Sequence, residues 1–198
     1  MKNKFDALPT SQQLEEELSR VRYGKRYRTV LRSTLGTLIT VAAIAVLVAT
    51  LLLPVLQIYG SSMTPTLVDG DIVLTVKTTE FETGDVVAFY YNNKILVKRV
   101  IAQAGDWVDI TPDGDVYVGK HADELVLLEE PYLTEKSLGD CNIELPYQVP
   151  ESRVFVMGDH RSVSVDSRNT AVGCVAEEQL VGKLIFRVWP LSLFGEIT

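Results

Sequence analysis

Cysteine and histidine are scarce, with two of each in 198 residues. Cys141 and Cys174 are too few for a disulfide framework, and they cannot supply a four-thiolate zinc site. The regularly alternating carboxylates of a calcium loop are also missing. Basic charge is thin over most of the chain. Residues 59–198 hold eleven Lys and Arg against twenty-two Asp and Glu, a net of −11. A region that acidic cannot replace the counterions of a nucleic acid. The expectation is a chain that takes no nucleic acid, no nucleotide, no metal and no cofactor. Finally, charge of either sign is absent from Ser33 to Val68, a run of 36 residues.

That uncharged run sets the class. Its apolar heart, Leu35–Leu53, is 19 residues long and would span roughly 29 Å as a helix. A bilayer core is about 30 Å thick. Arg20, Arg22, Lys25, Arg26, Arg28 and Arg32 crowd the preceding side, and residues 1–32 carry a net of +4. The positive-inside rule then places the N-terminus in the cytoplasm and the chain after Pro54 outside. A cleavable signal peptide would have a shorter apolar region and a small-x-small site just beyond it. Here Pro54-Val-Leu-Gln-Ile58 comes next instead. A buried globular helix would carry polar residues on one face. The expected organisation is a basic cytoplasmic tail (1–32), a transmembrane anchor helix (33–58) and an extracytoplasmic domain (59–198).

After Tyr59 the texture changes to strands and turns. Asp71–Val76, Asp85–Tyr91, Lys94–Ile101, Trp107–Thr111, Val116–Val118, Val154–Met157, Gly173–Ala176 and Val181–Val188 all read as strands. Asn92-Asn93 and Pro112-Asp113-Gly114 read as hairpin turns. Residues 119–150 hold few strand signals and three prolines, so they read as a peripheral insertion. The predicted fold is mainly β: one N-terminal transmembrane helix, then an antiparallel, barrel-like sheet domain.

Three segments carry chemistry. Ile58-Tyr-Gly-Ser-Ser-Met-Thr-Pro-Thr-Leu67 is rich in hydroxyls. Gly60 permits unusual dihedrals, and Pro65 stiffens the end of the segment. A serine on such a turn can present Oγ to a carbonyl, yet a plain linker has the same composition. Lys98 ends the strand Ile95-Leu-Val-Lys-Arg-Val-Ile101. Alternation puts Lys98 on one face and Arg99 on the other, so one of the two cations stands among apolar residues. A desolvated lysine can lose its proton, whereas an arginine cannot. A lysine that snorkels to solvent fits the same pattern. Third, Gly158-Asp-His-Arg-Ser-Val-Ser-Val-Asp-Ser-Arg168 packs hydroxyls, carboxylates and guanidiniums together, as a hydrogen-bonded loop would. His160 leaves a Ser62–His160–Asp arrangement open on residue types alone. His121 lies in a polar loop and reads as a solvated side chain.

Taken in order after an outward-facing anchor, these segments resemble the type I signal peptidases. Those are membrane-anchored serine proteases of family S26 with a Ser–Lys dyad. Ser62-Met63-Thr64-Pro65-Thr66-Leu67 is similar to the family's nucleophile box, which implies Ser62 as nucleophile. Lys98-Arg99-Val100-Ile101 is similar to the lysine box and implies Lys98 as general base. Gly158-Asp159-His160-Arg161 and Ser164-Val165-Asp166-Ser167-Arg168 are similar to the third box. There the resemblance implies that Ser164 orients the lysine, while Gly158, Asp159, Arg161, Asp166 and Arg168 brace the site together with Met63, Pro65 and Arg99. His160 stands where Asn is usual, and Val163 where Asn is common. Gly60, with Ser61 beside it at the oxyanion turn, stands where some Gram-negative members have a serine, and so matches the Gram-positive pattern.

The resemblance implies removal of signal peptides from secretory preproteins, after small residues at −3 and −1, beside a lipid bilayer. Ile58, Met63 and Leu67 are expected to dip into the membrane interface near Ser62. Two rival classes are an anchored binding module, and a sortase-like transpeptidase that would use Cys174. A disulfide between Cys141 and Cys174 is permitted in an extracytoplasmic domain.

Overall fold

In a computed structural model, residues 10–52 and 54–197 are described. Helix α1 runs without a break from Ser11 to Leu52. No proline interrupts it, and Pro54 comes just past its end, where a helix commonly stops. The Gln13 carboxamide accepts from the Thr10 N–H at 3.1 Å, one half of a capping box. In the apolar stretch the Thr37 and Thr40 hydroxyls donate to the carbonyls four residues back, both at 3.0 Å, so neither carries an unmet donor. By length and composition this helix can cross a membrane: its most apolar 18-residue stretch has a mean hydropathy of 1.9. The expected boundaries shift in two places. The helix passes through residues 32 and 33 as one element, and it stops before residue 58 because Val55–Gln57 form strand β1.

The rest of the described chain is a compact unit of its own. Its strands are β1, β2 (Ile72–Val76), β3 (Val86–Tyr91), β4 (Lys94–Ala102), β5 (Trp107–Ile110), β6 (Val116–Gly119), β7 (Val126–Leu127), β8 (Tyr147–Gln148), β9 (Arg153–Met157), β10 (Val175–Ala176), β11 (Leu180–Trp189) and β12 (Gly195–Glu196). The larger sheet has the order β1-β2-β11-β3-β4-β9-β10, with β12 beside β11. The smaller one is β7-β6-β5-β8. Every pairing is antiparallel. The mainly β expectation is met. The barrel wording fits only loosely, since β1 and β10 end an open path. Asn92 and Asn93 both take positive φ, at 43° and 63°, as a two-residue hairpin turn between β3 and β4 demands.

Three apolar clusters hold the unit. One joins the two sheets: Ile101 and Ala102 of β4 and Phe155 and Met157 of β9 pack with Val108, Ile110 and Val116. Leu138, Ile143 and Leu145 lie against this cluster. Residues 119–150 are therefore no peripheral appendage; they cover part of the core. A second cluster gathers Ile58, Met63 and Leu67 over Val73, Val86, Ala88 and Leu184. A third lies on β3, β4 and β9 around Val87, Phe89, Val100, Val154 and Val156. From Lys98 onward strand β4 is thus covered along both of its rows, which fixes the surroundings of its two cations.

Candidate active site

The chain leaves β1 through Ile58, which is pinned by two backbone bonds: its N–H donates to Asp71 O at 2.8 Å, and its carbonyl accepts from Gly70 N at 2.9 Å. Gly60 then adopts φ 91°, open to glycine at little cost. Its N–H donates to Asp69 Oδ1 at 2.7 Å, so the sharp change of direction is fixed by a charged acceptor. A tight turn comes next, with Thr64 N–H on Ser61 O at 3.2 Å and Leu67 N–H on Met63 O at 2.8 Å. Met63 and Leu67 are buried in the second cluster, and Pro65 is exposed. Each buried side chain of this kind stabilises by roughly 2 kcal/mol, so they root the turn in the core. This overturns the expected membrane contact of Ile58, Met63 and Leu67. All three are already packed inside the domain.

Ser62 is half-buried at the top of that turn. Its Oγ lies 2.6 Å from Lys98 Nζ. The Ser62 N–H is taken up by no acceptor among the described residues. Lys98 is only 3% exposed, and burial pushes its amine below the ordinary lysine value. The Asp166 and Asp159 carboxylates pull the other way, and Arg168 adds to the lowering.

Arg99, the next residue, is 1% exposed. Alternation predicted one buried cation here, yet both are buried, because apolar clusters cover both faces of β4 at this point. Arg99 survives by complete pairing. Its Nε and Nη2 grip Asp159 at 3.0 and 2.7 Å, and its Nη1 donates to Gly84 O at 2.8 Å. The Thr66 hydroxyl donates to the same carboxylate at 2.5 Å, tying the serine turn to this pair. The guanidinium also sits 3.8 Å from the centre of the Tyr132 ring.

The third segment wraps behind the pair. Gly158 is required by space: a Cβ there would collide with Ser164 Oγ and the Ser62 carbonyl. Asp166 accepts from Gly158 N at 2.9 Å, from Ser164 Oγ at 2.7 Å and from both arms of Arg168 at 2.8 Å. Burial alone would raise the Asp166 carboxyl, but Arg168 and these N–H and O–H donors outweigh it and hold it below its ordinary range. Arg168 also donates to the carbonyls of Leu138 and Arg161 at 2.7 and 3.0 Å. Arg161 bonds Gly158 O at 3.1 Å and forms a two-armed pair with Glu130.

The structure thus brings Ser62, Lys98, Asp159, Ser164, Asp166 and Arg168 together with Gly60, Ser61, Met63, Arg99, Gly158 and Arg161. Ser164 departs from its expected use: its hydroxyl goes to Asp166, while the hydrogen-bond partner of the Lys98 amine is Ser62. His160 also makes no bond to Ser62 Oγ; its N–H donates to the Ser62 carbonyl at 3.1 Å. Glu130 and Tyr132 were missed. Both stand in the stretch read as peripheral, and only the unusual density of arginines in the third segment signals that a distant carboxylate is needed. Cys174 is a buried free thiol whose pKa burial pushes up to about 11, the opposite of what a nucleophile requires. Cys141 is a free thiol too.

A cleft of about 490 Å³ opens at Ser62 and Lys98, lined by Leu56–Gly60 on one side and Lys94–Val97 on the other. Both walls are strand edges. Among the described residues β1 pairs only with β2, and β9 pairs with β4 only from Arg99 onward, which leaves 94–98 open on that side.

Residues 31–189 match the signal peptidase, peptidase S26 family. Signal peptidase IB of Staphylococcus aureus is 40% identical over 152 residues, covering 69% of this chain and 78% of the relative. Thylakoidal processing peptidase 1, chloroplastic, of Arabidopsis thaliana is 33% identical over 170 residues, covering 77% of this chain and 47% of the relative. A crystal structure of a signal peptidase I from Enterococcus faecalis V583 is 26% identical and covers 53% of this chain and 97% of its own, with a TM-score of 0.41. The chain belongs to the signal peptidase family, peptidase S26, and is a peptidase of the signal peptidase I type. That excludes the binding-module and sortase readings.

Proposed function

We propose that this chain removes signal peptides from secretory preproteins by a Ser62–Lys98 dyad and cleaves after small residues at −3 and −1. The 2.6 Å contact between Lys98 Nζ and Ser62 Oγ carries the reading. Neutral Lys98 takes the Ser62 proton as Oγ bonds to the scissile carbonyl carbon. The oxyanion that forms meets the unused Ser62 N–H, with Gly60 and Ser61 shaping the turn that aims it. Lys98 then gives the proton to the leaving amine as the C–N bond breaks. In the second half, Lys98 draws a proton from water, water attacks the acyl ester, and Ser62 leaves with its proton restored.

Asp159 with Arg99, and Asp166 with Arg168, hold the walls of the site, and Ser164 with Gly158 lets the third segment close on the turn. An extended substrate fits between the open edges of β1 and β4, where backbone groups await partners. Ile58, Met63 and Leu96 line that cleft beside Ser62 and suit small apolar side chains. The helix Ser11–Leu52 anchors the chain in the cell membrane with its basic end in the cytoplasm and the catalytic unit outside. Enzyme and signal peptide are then both tethered to one bilayer, which raises their effective concentration.

The test is cleavage of a preprotein by the purified full-length chain in detergent, beside Ser62→Ala and Lys98→Ala. Both variants are expected to fall by about a thousandfold or more. Activity that survives Lys98→Ala overturns the dyad. Cleavage after large residues at −1 overturns the specificity.

A further inference from the structure

The third segment touches the nucleophile turn through one residue that the chemistry above does not use. His160 reaches the turn twice. Its backbone N–H donates to the Ser62 carbonyl at 3.1 Å. Its ring Nδ1 lies 3.0 Å from Thr64 Oγ1 and 3.3 Å from the Ser61 carbonyl. The turn itself has little else to hold this side: Thr64 spends its hydroxyl proton on Ser61 O at 2.8 Å. Since that proton is already placed, Thr64 Oγ1 faces the ring as an acceptor. Ser61 O is an acceptor by nature. Two acceptors therefore converge on Nδ1, and only an Nδ1–H satisfies both. A neutral ring in this tautomer and a protonated ring present the same donor there.

We propose that His160 is a positioning residue that clamps the nucleophile turn, with Nδ1–H shared by Thr64 Oγ1 and Ser61 O. It does not act as a base. The turn is rooted below by Met63 and Leu67, tied on one side by Thr66 to Asp159, and closed on the other side by His160. Without the ring, residues 61–64 keep the backbone bond from His160 but gain a hinge at Thr64. Ser62 Oγ then spends less time within reach of Lys98 Nζ. Such a loss acts on turnover, because the cleft walls at β1 and β4 that hold substrate are untouched.

The inference rests on the dyad reading, so its test separates the two. Full-length wild type, His160→Leu, His160→Asn and Thr64→Val are compared in detergent on one preprotein, with Ser62→Ala as the reference for dyad failure. His160→Leu removes the donor and keeps the bulk. His160→Asn keeps an N–H donor the same number of bonds from Cα. Expected are a fall in kcat of about ten- to a hundredfold for His160→Leu with KM held, and recovery to within about threefold for His160→Asn. The acid limb of the pH–rate profile keeps its midpoint in His160→Asn, since Lys98 remains the base. Thr64→Val alone lowers kcat in the same direction, and combined with His160→Leu it adds little, as partners in one contact should.

Three outcomes overturn the proposal. One is full activity in His160→Leu. Another is a His160→Asn as impaired as His160→Leu, with both melting like wild type. The third is a changed KM with kcat intact. If His160→Asn falls to the level of Ser62→Ala, the ring is a base and the dyad reading fails with it. If Ser62→Ala is itself active, Ser62 is not the nucleophile, and the dyad reading and the clamp built on it fall together.

Discussion

Lys98 and Arg99 are neighbours on one strand, equally removed from water, and the fold treats them in opposite ways. Arg99 receives a carboxylate in two-point contact, a carbonyl and an aromatic face. Lys98 receives a serine hydroxyl, and its carboxylates act from further off. The difference comes from what each side chain can give up. A guanidinium keeps its charge, so a buried one has to be matched in full. An amine can shed its proton, so a buried one left without a close counterion becomes a base. Burial by itself assigns no role. The partner supplied at the end of the side chain does.

The sharpest break in this contrast is Lys98→Arg. It keeps a cation of similar reach that cannot deprotonate. Preprotein cleavage is expected to fall at least about a thousandfold, as far as in Lys98→Ala. Appreciable activity in Lys98→Arg would show that the base lies elsewhere.

Arg99→Ala breaks the other half. It strands Asp159 in the interior beside Thr66, and urea unfolding should lose about 3–5 kcal/mol. A loss under about 1 kcal/mol would mean that water reaches the carboxylate. Glu130→Gln comes next. It leaves Arg161 a carbonyl acceptor but removes its counter-charge, for an expected loss of about 1–3 kcal/mol. A melt indistinguishable from wild type would reduce residues 119–150 to a cover.

The smallest effect concerns pH. The folded Lys98 pKa lies below 10.5, so the unfolded chain binds more protons between the folded value and 10.5. Stability from this group is complete above that window and falls as pH drops through it. The slope cannot exceed about 1.4 kcal/mol per pH unit. Lys98→Met should lack this slope and be the more stable chain below the window, by about 1 kcal/mol. Matching stability curves for the two chains would place the ammonium in water. On the proposed dyad, the activity limb is expected to run the same way in wild type, with cleavage rising with pH as neutral Lys98 accumulates.

How much of this was legible depended on whether the signal was local. The hairpin at Asn92-Asn93, the strands on either side of it and the long apolar helix each announce themselves within a few residues. So did the cation question on β4, although alternation assumed one wet face and the strand has none from Lys98 onward. Met63 and Leu67 were misplaced because an irregular turn has no period that separates inward from outward positions. Glu130 and Tyr132 lie in a segment with hardly any strand signal. Their partners, Arg161 and Arg99, are 31 and 33 residues away in the chain. Which carboxylate answers which arginine is a three-dimensional fact. Ser164 shows the same limit at short range, since both Asp166 and Lys98 were plausible acceptors and donors for its hydroxyl.

The tie between Thr66 and Asp159 spans 93 residues, and the dyad contact spans 36. Loops of that length close late, after the local hairpins have formed. On the proposed dyad, the site is consequently expected to assemble late in folding, although Ser62 and Lys98 are both present from residue 98 onward. A chain halted before Arg168 would hold Ser62 and Lys98 but lack the Asp166–Arg168 pair behind them. Onset of cleavage is therefore expected to lag behind hairpin formation, so that activity reports on the long-range closure of this domain.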